Sequence, residues 1–525
     1  RYAVGKAETV EKGAAYHRAL GRDIHMHAAQ DEPVDYLPRG DAPYYYPNDF
    51  YGGTLDAIRR SLPRLAALGV DVLYLNPIFE ADSNHRYNTS DYRRVDPILG
   101  TNEDFAALCA DARAQGIRIL LDGVFSHTGS DSVYFNRNGR YSAPGAYQGK
   151  ASPYYAWYDF RHFPDDYRCW WGFESLPEVN ERNPDWQDFV VTGRSSVVRT
   201  WLRAGAAGYR LDVADELPDD VLEKIRAAVK EEKPDGVVLG EVWEDPTTKQ
   251  SYGVRRSYAL GGSLDSVMNY PLRRAMLDFA LGAQTAHTLC ALLCAQRLNY
   301  PLPLYYSLMN LLSSHDVERV RSVLASGIYG DGLTRQQQAS FRISAVQDQT
   351  GAARQAMLAA LQFSLPGVPC IYYGDEYGMP GFLDPFNRAF LDTQASAYPL
   401  DALYARLAAL RHAHPALATG AVSVFALEKD VLGVVRANVQ GRDVFGEAAP
   451  EECLVTLINR ADTHKYVTVD ILREGCGFDA GVLSALRTSG YKTACSIVCK
   501  TQQKVLDGLF TVDLPPCSAQ IYQLK

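Results

Sequence analysis

The chain has 525 residues, of which 47% are hydrophobic and 22% are charged, and its formal net charge at pH 7 is -9. This length is too great for one small core, so two or three domains are expected in a globular protein. The acidic balance argues against a nucleic-acid binder or a binder of anionic membranes, because such proteins usually carry a basic face; a neutral substrate fits better.

The sequence predicts neither a signal peptide nor a membrane-spanning segment. No apolar run is long enough to cross a bilayer, and residues 1–20 lack the charged and apolar regions of a signal peptide. The 10 cysteines are scattered, without the dense spacing of a disulfide framework. We therefore expect a cytoplasmic protein with reduced thiols and no metal ligands.

Apolar, strand-like runs then alternate with helical patterns. A capping box at Thr101 and Asp104 predicts a helix over 101–116, and the run IRILLDGVF follows it as a buried parallel strand. Further strands are predicted at 70–77, 206–213, 236–243, 263–270, 304–316 and 367–376, and further helices at 217–232, 354–364 and 400–413. This alternation predicts an α/β fold built on parallel strands.

Two segments depart from the alternation. Residues 128–184 are loop-rich and aromatic, and we interpret them as a subdomain inserted after the third strand. Residues 420–525 consist of short alternating runs separated by turn-like segments, which is typical of an antiparallel sandwich. The expected domains are a barrel formed by 1–127 and 185–419, the insertion and the C-terminal domain.

Short acidic motifs recur where strand-like runs stop. They are DGVFSH at 122–127, GYRLDVADE at 208–216, GEVWED at 240–245 and SSHD at 313–316. A barrel of parallel strands exposes such strand ends to substrate, so the motifs point to an enzyme. Aromatic clusters at 43–53 and 152–160 suit stacking on sugar rings, although any single ring could equally cover hydrophobic surface.

The carboxylates in these motifs suit different roles. Arg210 and Asp212 lie two apart on a strand and face the same side, so the guanidinium is expected to lower the pKa of Asp212 and keep it ionised. This motif alone also fits a structural Arg–Asp pair. Glu241 ends an apolar strand before Trp243, where partial desolvation favours the protonated form of a general acid. An ionised Asp facing a protonatable Glu is the pair of a retaining glycosidase.

At this point the motifs, in this order, resemble the conserved regions of the α-amylase superfamily, glycoside hydrolase family 13, over nearly the whole chain. LPEVN at 176–180 resembles a further family region near the end of the inserted domain. RLDVADE, GEVW and HRYNTSDY at 85–92 are most similar to the neopullulanase, cyclomaltodextrinase and maltogenic amylase group. The resemblance implies a (β/α)8 TIM barrel, a loop-rich subdomain inserted after strand 3 and a C-terminal antiparallel β-sandwich.

The resemblance also implies roles for individual residues. Asp212 would be the nucleophile, Glu241 the acid/base, and Asp316 the residue that distorts the sugar and stabilises the transition state. Tyr87 would stack on the ring at the cleavage site. The remaining implied substrate-binding residues are His127, His315 and Arg210 in the same pocket, Asp122 below it, and Asp384 and Arg388 at the non-reducing side.

The implied function is a retaining α-glucan hydrolase acting on maltooligosaccharides, cyclodextrins or pullulan-type substrates, with some glycosyl transfer. Val213 resembles family members that accept α-1,6 as well as α-1,4 bonds, and Glu216 lies where the group has an acceptor-side Glu. The alternatives within the superfamily are an exo-α-glucosidase and a dedicated glucanotransferase. A non-catalytic glycan-binding relative would lack one of the three acidic residues, and all three are present.

Two departures from the family pattern add expectations. Many amylases have Asn where this chain has Ser126, and that Asn helps to bind calcium, so no cofactor is expected and the usual calcium site is in doubt. The first barrel strand of the family would lie just before Arg1, so either the protein extends upstream or another segment fills the gap. Because the group often dimerises through an extra N-terminal domain, a homodimer is a further expectation.

Overall fold

The computed structural model describes residues 2–38, 45–473, 477–497 and 500–525. Positions 43 and 44 of the first aromatic cluster lie outside these residues. The chain divides into two compact units, the first formed by Arg1–Val267 with Ala389–Leu391 and the second by Met268–Arg388 with Asp392–Lys525.

The first unit mixes helices with short strands. Its helices are α1 (Ala7–Ala19), α2 (Leu55–Leu68), α3 (Asn102–Ala114), α4 (Pro184–Gln187), α5 (Val197–Ala204) and α6 (Asp219–Glu232). Its strands are β1 (His25–Met26), β2 (Asp49–Phe50), β3 (Val72–Leu75), β4 (Phe79–Ala81), β5 (Thr89–Val95), β6 (Arg118–Gly123), β7 (Phe160–His162), β8 (Asp166–Tyr167), β9 (Gly208–Leu211), β10 (Val237–Gly240), β11 (Gln250–Ser251), β12 (Val254–Arg255) and β13 (Ser266–Val267).

A parallel sheet with strand order β13-β10-β9-β6-β3 forms the centre of this unit. Residues of β6 and β9 are buried throughout except Arg118, which explains their nearly continuous apolar sequence. Gly208 opens β9 at φ 148°, and a Cβ there would clash with the carbonyl oxygen of Val237 on β10. The parallel sheet predicted from the sequence is thus confirmed.

Local hydrogen bonds set the ends of the helices between these strands, as α3 shows. Thr101 accepts a hydrogen bond from the Asp104 amide at 3.1 Å, and the Asp104 carboxylate accepts one from the Thr101 amide at 2.9 Å. α3 buries its apolar face, including Phe105 and Leu108. The predicted capping box is confirmed, while the helix ends at Ala114, two residues before the predicted end.

The predicted insertion, 128–184, begins with coil and single turns. Near its end the chain comes back beside the residues from which the insertion starts. Val179 donates a backbone hydrogen bond to the Ser126 carbonyl at 3.1 Å, and His127 forms a β-bridge with Glu178. LPEVN therefore lies beside DGVFSH. The boundaries of the insertion as a domain stay a prediction.

The second unit contains the rest of the chain. Its helices are α7 (Tyr270–Leu281), α8 (Ala286–Asn299), α9 (Leu302–Ser307), α10 (Val320–Ser326), α11 (Arg335–Ser340), α12 (Ala345–Ser364), α13 (Asp401–Ala413), α14 (Pro415–Thr419) and α15 (Ala480–Ser489). Its strands are β14 (Met309–Leu311), β15 (Val368–Cys370), β16 (Ala421–Glu428), β17 (Val431–Asn438), β18 (Glu452–Asn459), β19 (Lys465–Asp470), β20 (Thr493–Ser496), β21 (Gln502–Lys504), β22 (Leu509–Leu514) and β23 (Ser518–Leu524).

Parallel pairing continues in this unit. β14 pairs with β15, and Met268 forms a parallel bridge with Met309. Together with the first unit, each predicted parallel strand contains an observed strand. The predicted strand 304–316 is wrong at its start, however, because residues 304–307 belong to α9 and β14 is only Met309–Leu311. β1 and β2 precede β3 in the chain but pair with each other in a separate two-stranded sheet. That the protein extends upstream, or that another segment supplies the first barrel strand, stays a prediction, as does the complete eight-stranded barrel.

The C-terminal residues form antiparallel sheets, as predicted. One sheet has the order β16-β17-β18-β23-β20-β21, and the other pairs β19 with β22. Side chains of both sheets share one buried core that includes Val455, Leu457, Val469 and Val512. In the described part of the chain, every helix is too short or too polar to cross a membrane.

Candidate active site

A buried guanidinium holds three carboxylates together in the first unit. Arg210 Nη1 donates to Asp122 Oδ1 at 2.9 Å and to Asp212 Oδ1 at 2.8 Å, while its Nη2 lies 2.9 Å from Glu241 Oε2. All four side chains are buried, and Asp212 and Glu241 keep 7% and 6% of their surface exposed. We call these residues, Asp122, Arg210, Asp212 and Glu241, the Arg210 cluster.

The parallel register brings these side chains to one edge of the sheet. Arg210 lies opposite Asp122 on β6 and opposite Leu239 on β10. Asp212 and Glu241 directly follow the last residues of β9 and β10. Because parallel strands expose their carboxyl ends together, residues distant in sequence meet here as the motifs predicted.

Glu241 is oriented by two further donors. The Val213 amide donates to its Oε2 at 2.8 Å, and Trp243 Nε1 donates to its Oε1 at 3.1 Å. Val213 adopts φ 36° and ψ 60°, a left-handed conformation that is costly for a β-branched residue. This strained turn directly after Asp212 aims the amide at the second carboxylate.

Burial decides the electrostatics of the Arg210 cluster. Burial raises the pKa of the Asp212 carboxyl well above its ordinary value, the negative Glu241 and Asp122 raise it further, and Arg210 opposes the rise. Burial also raises the pKa of Asp122. Arg210 does lower the pKa of Asp212, but the net shift is upward, so the prediction of a lowered pKa is wrong. The reason is that one guanidinium is shared by three buried carboxylates. The Arg210 cluster therefore holds a proton at higher pH than separate carboxylates would.

Two tyrosine hydroxyls hold the Asp122 carboxylate in place. Tyr74 and Tyr87 donate to Asp122 Oδ2 at 2.5 and 2.9 Å. Tyr87 was predicted, whereas Tyr74 was missed. Its place on β3, next to β6 in the sheet, is the signal that could have found it.

His127 lies beside Tyr87 as a buried neutral imidazole. Its Nε2 lies 3.1 Å from the Tyr87 carbonyl oxygen and its Nδ1 lies 3.0 Å from the Ser126 hydroxyl, and burial lowers its pKa to about 4. Ser126 thus holds the histidine ring instead of offering the amide oxygen that calcium-binding amylases place there. That the usual calcium site is lost at this position stays a prediction.

Glu216 does not join the Arg210 cluster but lies among aromatic side chains. It accepts hydrogen bonds from Tyr252 and, at 3.4 Å, from Trp171 Nε1. Trp171 and Tyr252 are 77% and 72% exposed, and Trp171 stacks on Trp170, which lies 5.8 Å from the His127 ring. The sequence reasoning missed this exposed aromatic platform, since an isolated aromatic dipeptide gives no sign of exposure.

The second unit assembles the remaining predicted residues. Asp316 Oδ2 lies 3.1 Å from His315 Nε2, and its Oδ1 lies 3.6 Å from Arg388 Nη2. Arg388 Nε also donates to the His315 carbonyl at 2.9 Å and pairs with Asp384 at 3.2 Å. Asn387, which the sequence reasoning missed, donates to the His315 carbonyl at 2.9 Å.

Asp316 is therefore an anchored carboxylate that keeps access to solvent. Its side chain is 23% exposed, and its partners are the adjacent His315 and the distant Arg388. Arg388, which was predicted only for the non-reducing side, is thus also an ion-pair partner of Asp316.

Known proteins are similar to this chain over the part that carries these motifs. Residues 16–398 match the family model described as "Alpha amylase, catalytic domain". The chain is 36% identical over 467 residues to an amylopullulanase of Thermoanaerobacter thermohydrosulfuricus, covering 82% of this chain and 30% of that protein. It is 32% identical over 431 residues to a cyclomaltodextrinase of a Bacillus species, covering 80% and 69%.

The chain spans between 24% and 35% of the length of the amylopullulanases that it matches. Among solved structures, a cyclic α-maltosyl-(1→6)-maltose hydrolase from Arthrobacter globiformis, in complex with cyclic α-maltosyl-(1→6)-maltose, is similar with a TM-score of 0.72 and 27% identity. That match covers 100% of this chain and 96% of the other. A cyclomaltodextrinase structure has a TM-score of 0.73 at 25% identity, covering 97% and 78%.

Proposed function

Because this chain belongs to the α-amylase family of glycoside hydrolases, we propose that it hydrolyses α-glucosidic bonds in α-glucans with retention of anomeric configuration. The observation that carries the proposal is the Arg210 cluster, in which two carboxyl groups at neighbouring strand ends share one guanidinium. Retaining glycosidases need such a pair, one member as nucleophile and the other as acid/base.

In the proposed first step, the proton held by the Arg210 cluster is on Glu241, which gives it to the glycosidic oxygen while an oxygen of the ionised Asp212 attacks the anomeric carbon. The bond to the leaving sugar breaks and a glycosyl ester of Asp212 forms. In the second step, Glu241 takes a proton from water, the water oxygen attacks the anomeric carbon, and the Asp212 carboxylate is released. No cofactor is required.

The surrounding residues have proposed roles that follow from the family motifs. Arg210 orients both carboxylates, and the Val213 amide and Trp243 indole hold Glu241 in place. Tyr87 would stack on the sugar at the cleavage site, and Asp316 would stabilise the positive charge that develops on the sugar. Asp384 and Arg388 would close the non-reducing side.

For substrates, we propose maltooligosaccharides, cyclodextrins and pullulan-type glucans with α-1,4 and also α-1,6 bonds. The names of the relatives, amylopullulanase and cyclomaltodextrinase, support this class. Val213 and Glu216 match the corresponding motif positions of the group. Glu216 with Trp171 offers a polar and an apolar contact to an acceptor sugar, which favours some transglycosylation.

The proposal is tested by Asp212→Asn. We expect turnover of maltotriose, pullulan and cyclodextrin to fall by at least about 1,000-fold, because the nucleophile is lost. Asp235→Asn is the matched control, since the Asp235 side chain is 77% exposed and lies before β10, and its rate should stay within about twofold. Near-normal turnover by the Asp212 variant would contradict the proposal.

The same variant should not lose stability at neutral pH. A carboxyl with a raised folded pKa binds protons more tightly in the folded state, so its contribution to stability is present at low pH and is lost as pH rises towards the folded pKa. The Asn side chain of the variant does not titrate, so this pH-dependent loss of stability is absent. Thermal unfolding of the variant at pH 7 should therefore occur at the same or a higher temperature than that of the unchanged protein. This separates loss of chemistry from loss of fold.

Product analysis distinguishes the proposed reaction from its alternatives. NMR of the first products should show the α-anomer; initial β-anomer would exclude retention. Products longer than the substrate would indicate a dedicated transferase if they dominate, and release of single glucose units would indicate exo action.

A further inference from the structure

Two histidines and an aspartate outside the Arg210 cluster converge in the first unit. His25 and His27 flank Met26 on and directly after β1, so their side chains point to the same side of the strand. β1 pairs in parallel with β2, and His25 lies opposite Asp49 in the register. The ligand atoms of all three residues lie within 4.8 Å of one another. The proposed glucan chemistry gives these residues no role.

Both imidazoles face the same carboxylate oxygen. His25 Nδ1 lies 3.0 Å and His27 Nε2 lies 2.7 Å from Asp49 Oδ1, and the two ring centroids are 4.4 Å apart. A nitrogen of each ring and one carboxylate oxygen therefore converge on one point, where the three groups can share a cation.

Further contacts hold His27 and Asp49, the two buried residues, in place. His27 Nδ1 lies 2.9 Å from Glu32 Oε2, and the ring stacks on Tyr51 with centroids 4.2 Å apart. Asp49 Oδ2 accepts a hydrogen bond from the Asp35 amide at 3.1 Å. A carboxylate on the outer nitrogen of a histidine is a recurring support of metal ligands, because it fixes the ring and raises its basicity.

Burial differs among the three in a way that suits a ligand site. The side chains of His27 and Asp49 are 2% and 1% exposed, whereas His25 is 52% exposed. The two buried ligands are preorganised, and the exposed one can adjust to the short distances of about 2.0–2.2 Å that zinc requires. Solvent could complete the coordination on the exposed side.

We propose that His25, His27 and Asp49 form a binding site for a divalent transition metal of the zinc class. Imidazole nitrogens with one carboxylate suit such ions, whereas calcium prefers oxygen ligands alone. Bound metal joins β1 to β2 and stabilises the chain ahead of α2. The site is structural and independent of the proposed hydrolase activity.

The test uses the full chain without an affinity tag, treated with EDTA and then freed of chelator. Titration calorimetry with Zn²⁺ should show one saturable site per chain, and Co²⁺ should give the visible absorption bands of a low-coordinate site. Ca²⁺ in excess should not displace either ion. Zn²⁺ should also raise the unfolding temperature.

Variants identify the ligands. His25→Asn, at the half-exposed position, should weaken Zn²⁺ binding by at least about tenfold, and Glu32→Gln by about tenfold through loss of support to His27. His162→Asn is the matched control, because His162 also pairs with a carboxylate, Asp166, but its side chain is 90% exposed, and among the described residues it is in no group that could hold a metal ion. Its affinity should stay within about twofold of the unchanged protein.

Circular dichroism and the unfolding temperature without metal verify that the His25 variant is folded. The proposal is overturned if the unchanged protein shows no saturable Zn²⁺ binding, or if His25→Asn and His162→Asn bind equally well. Glucan hydrolysis by His25→Asn should equal that of the unchanged protein.

Discussion

Arg210 shows how one side chain can organise a site. Its guanidinium contacts Asp122, Asp212 and Glu241, so removing it would leave three buried carboxylates without a cation. The motif GYRLDVADE predicted the contact with Asp212, since the residues lie two apart on one strand. The other contacts depend on strand neighbours that are distant in sequence.

At the same scale, Trp171 provides a test of the exposed aromatic platform. Trp171→Ala should raise KM for oligosaccharides about fivefold to tenfold with little change in kcat, because ring stacking on sugars contributes roughly 1 kcal/mol to binding. Steady-state kinetics on a maltooligosaccharide series measure this.

Tyr466→Ala is the control, since Tyr466 is 73% exposed on β19 in the other unit. It should leave both constants unchanged. A fall in kcat alone for Trp171→Ala would assign the ring to the chemical step instead of to binding.

At the scale of elements, helix starts were predictable where the capping residues are local. Thr101 and Asp104 gave the start of α3 to within one residue. For α12, the sequence reasoning began the helix at 354, whereas it begins at Ala345. Ser344 and Gln347 form a capping box there, so a local signal for the earlier start was present.

The cap of α3 can be tested directly. Thr101→Ala should destabilise the first turn of the helix by about 1 kcal/mol, because an amide loses its side-chain acceptor. Faster amide hydrogen exchange at Asp104 and Phe105 is the expected observation.

Thr350→Ala is the control, since Thr350 lies inside α12 and its hydroxyl donates to the Val346 carbonyl at 3.0 Å, so it caps no amide of the first turn. It should not increase exchange in its helix. Equal effects of the two changes would show that the capping bond contributes nothing.

At the scale of the molecule, Arg436 joins the C-terminal sheet to helices of the second unit. It lies fully buried on β17 and donates to the carbonyls of Ser364 at 2.9 Å and Leu417 at 2.7 Å, and also to those of Ala418 and Gly420. An arginine in a largely apolar strand thus donates to several carbonyls at the ends of α12 and α14.

Arg436→Leu should lower the free energy of unfolding by roughly 3 kcal/mol, because it leaves buried carbonyls without donors. Differential scanning calorimetry measures the change. Arg442→Leu, at an exposed arginine after β17, should shift stability by no more than about 0.5 kcal/mol. Comparable unfolding of both variants would contradict the structural role of Arg436.

The sequence by itself determined the order of strands and helices, the antiparallel C-terminal region, and the strand ends that carry carboxylates. These follow from local periodicity, capping and the family motifs, all of which act over a few residues. Tertiary structure alone decided that burial outweighs Arg210 in setting the pKa of Asp212, and that Tyr74 and Trp171 join the pocket residues. It also placed His25 and His27 on Asp49. These features depend on desolvation and on register between separate strands, which no local pattern encodes.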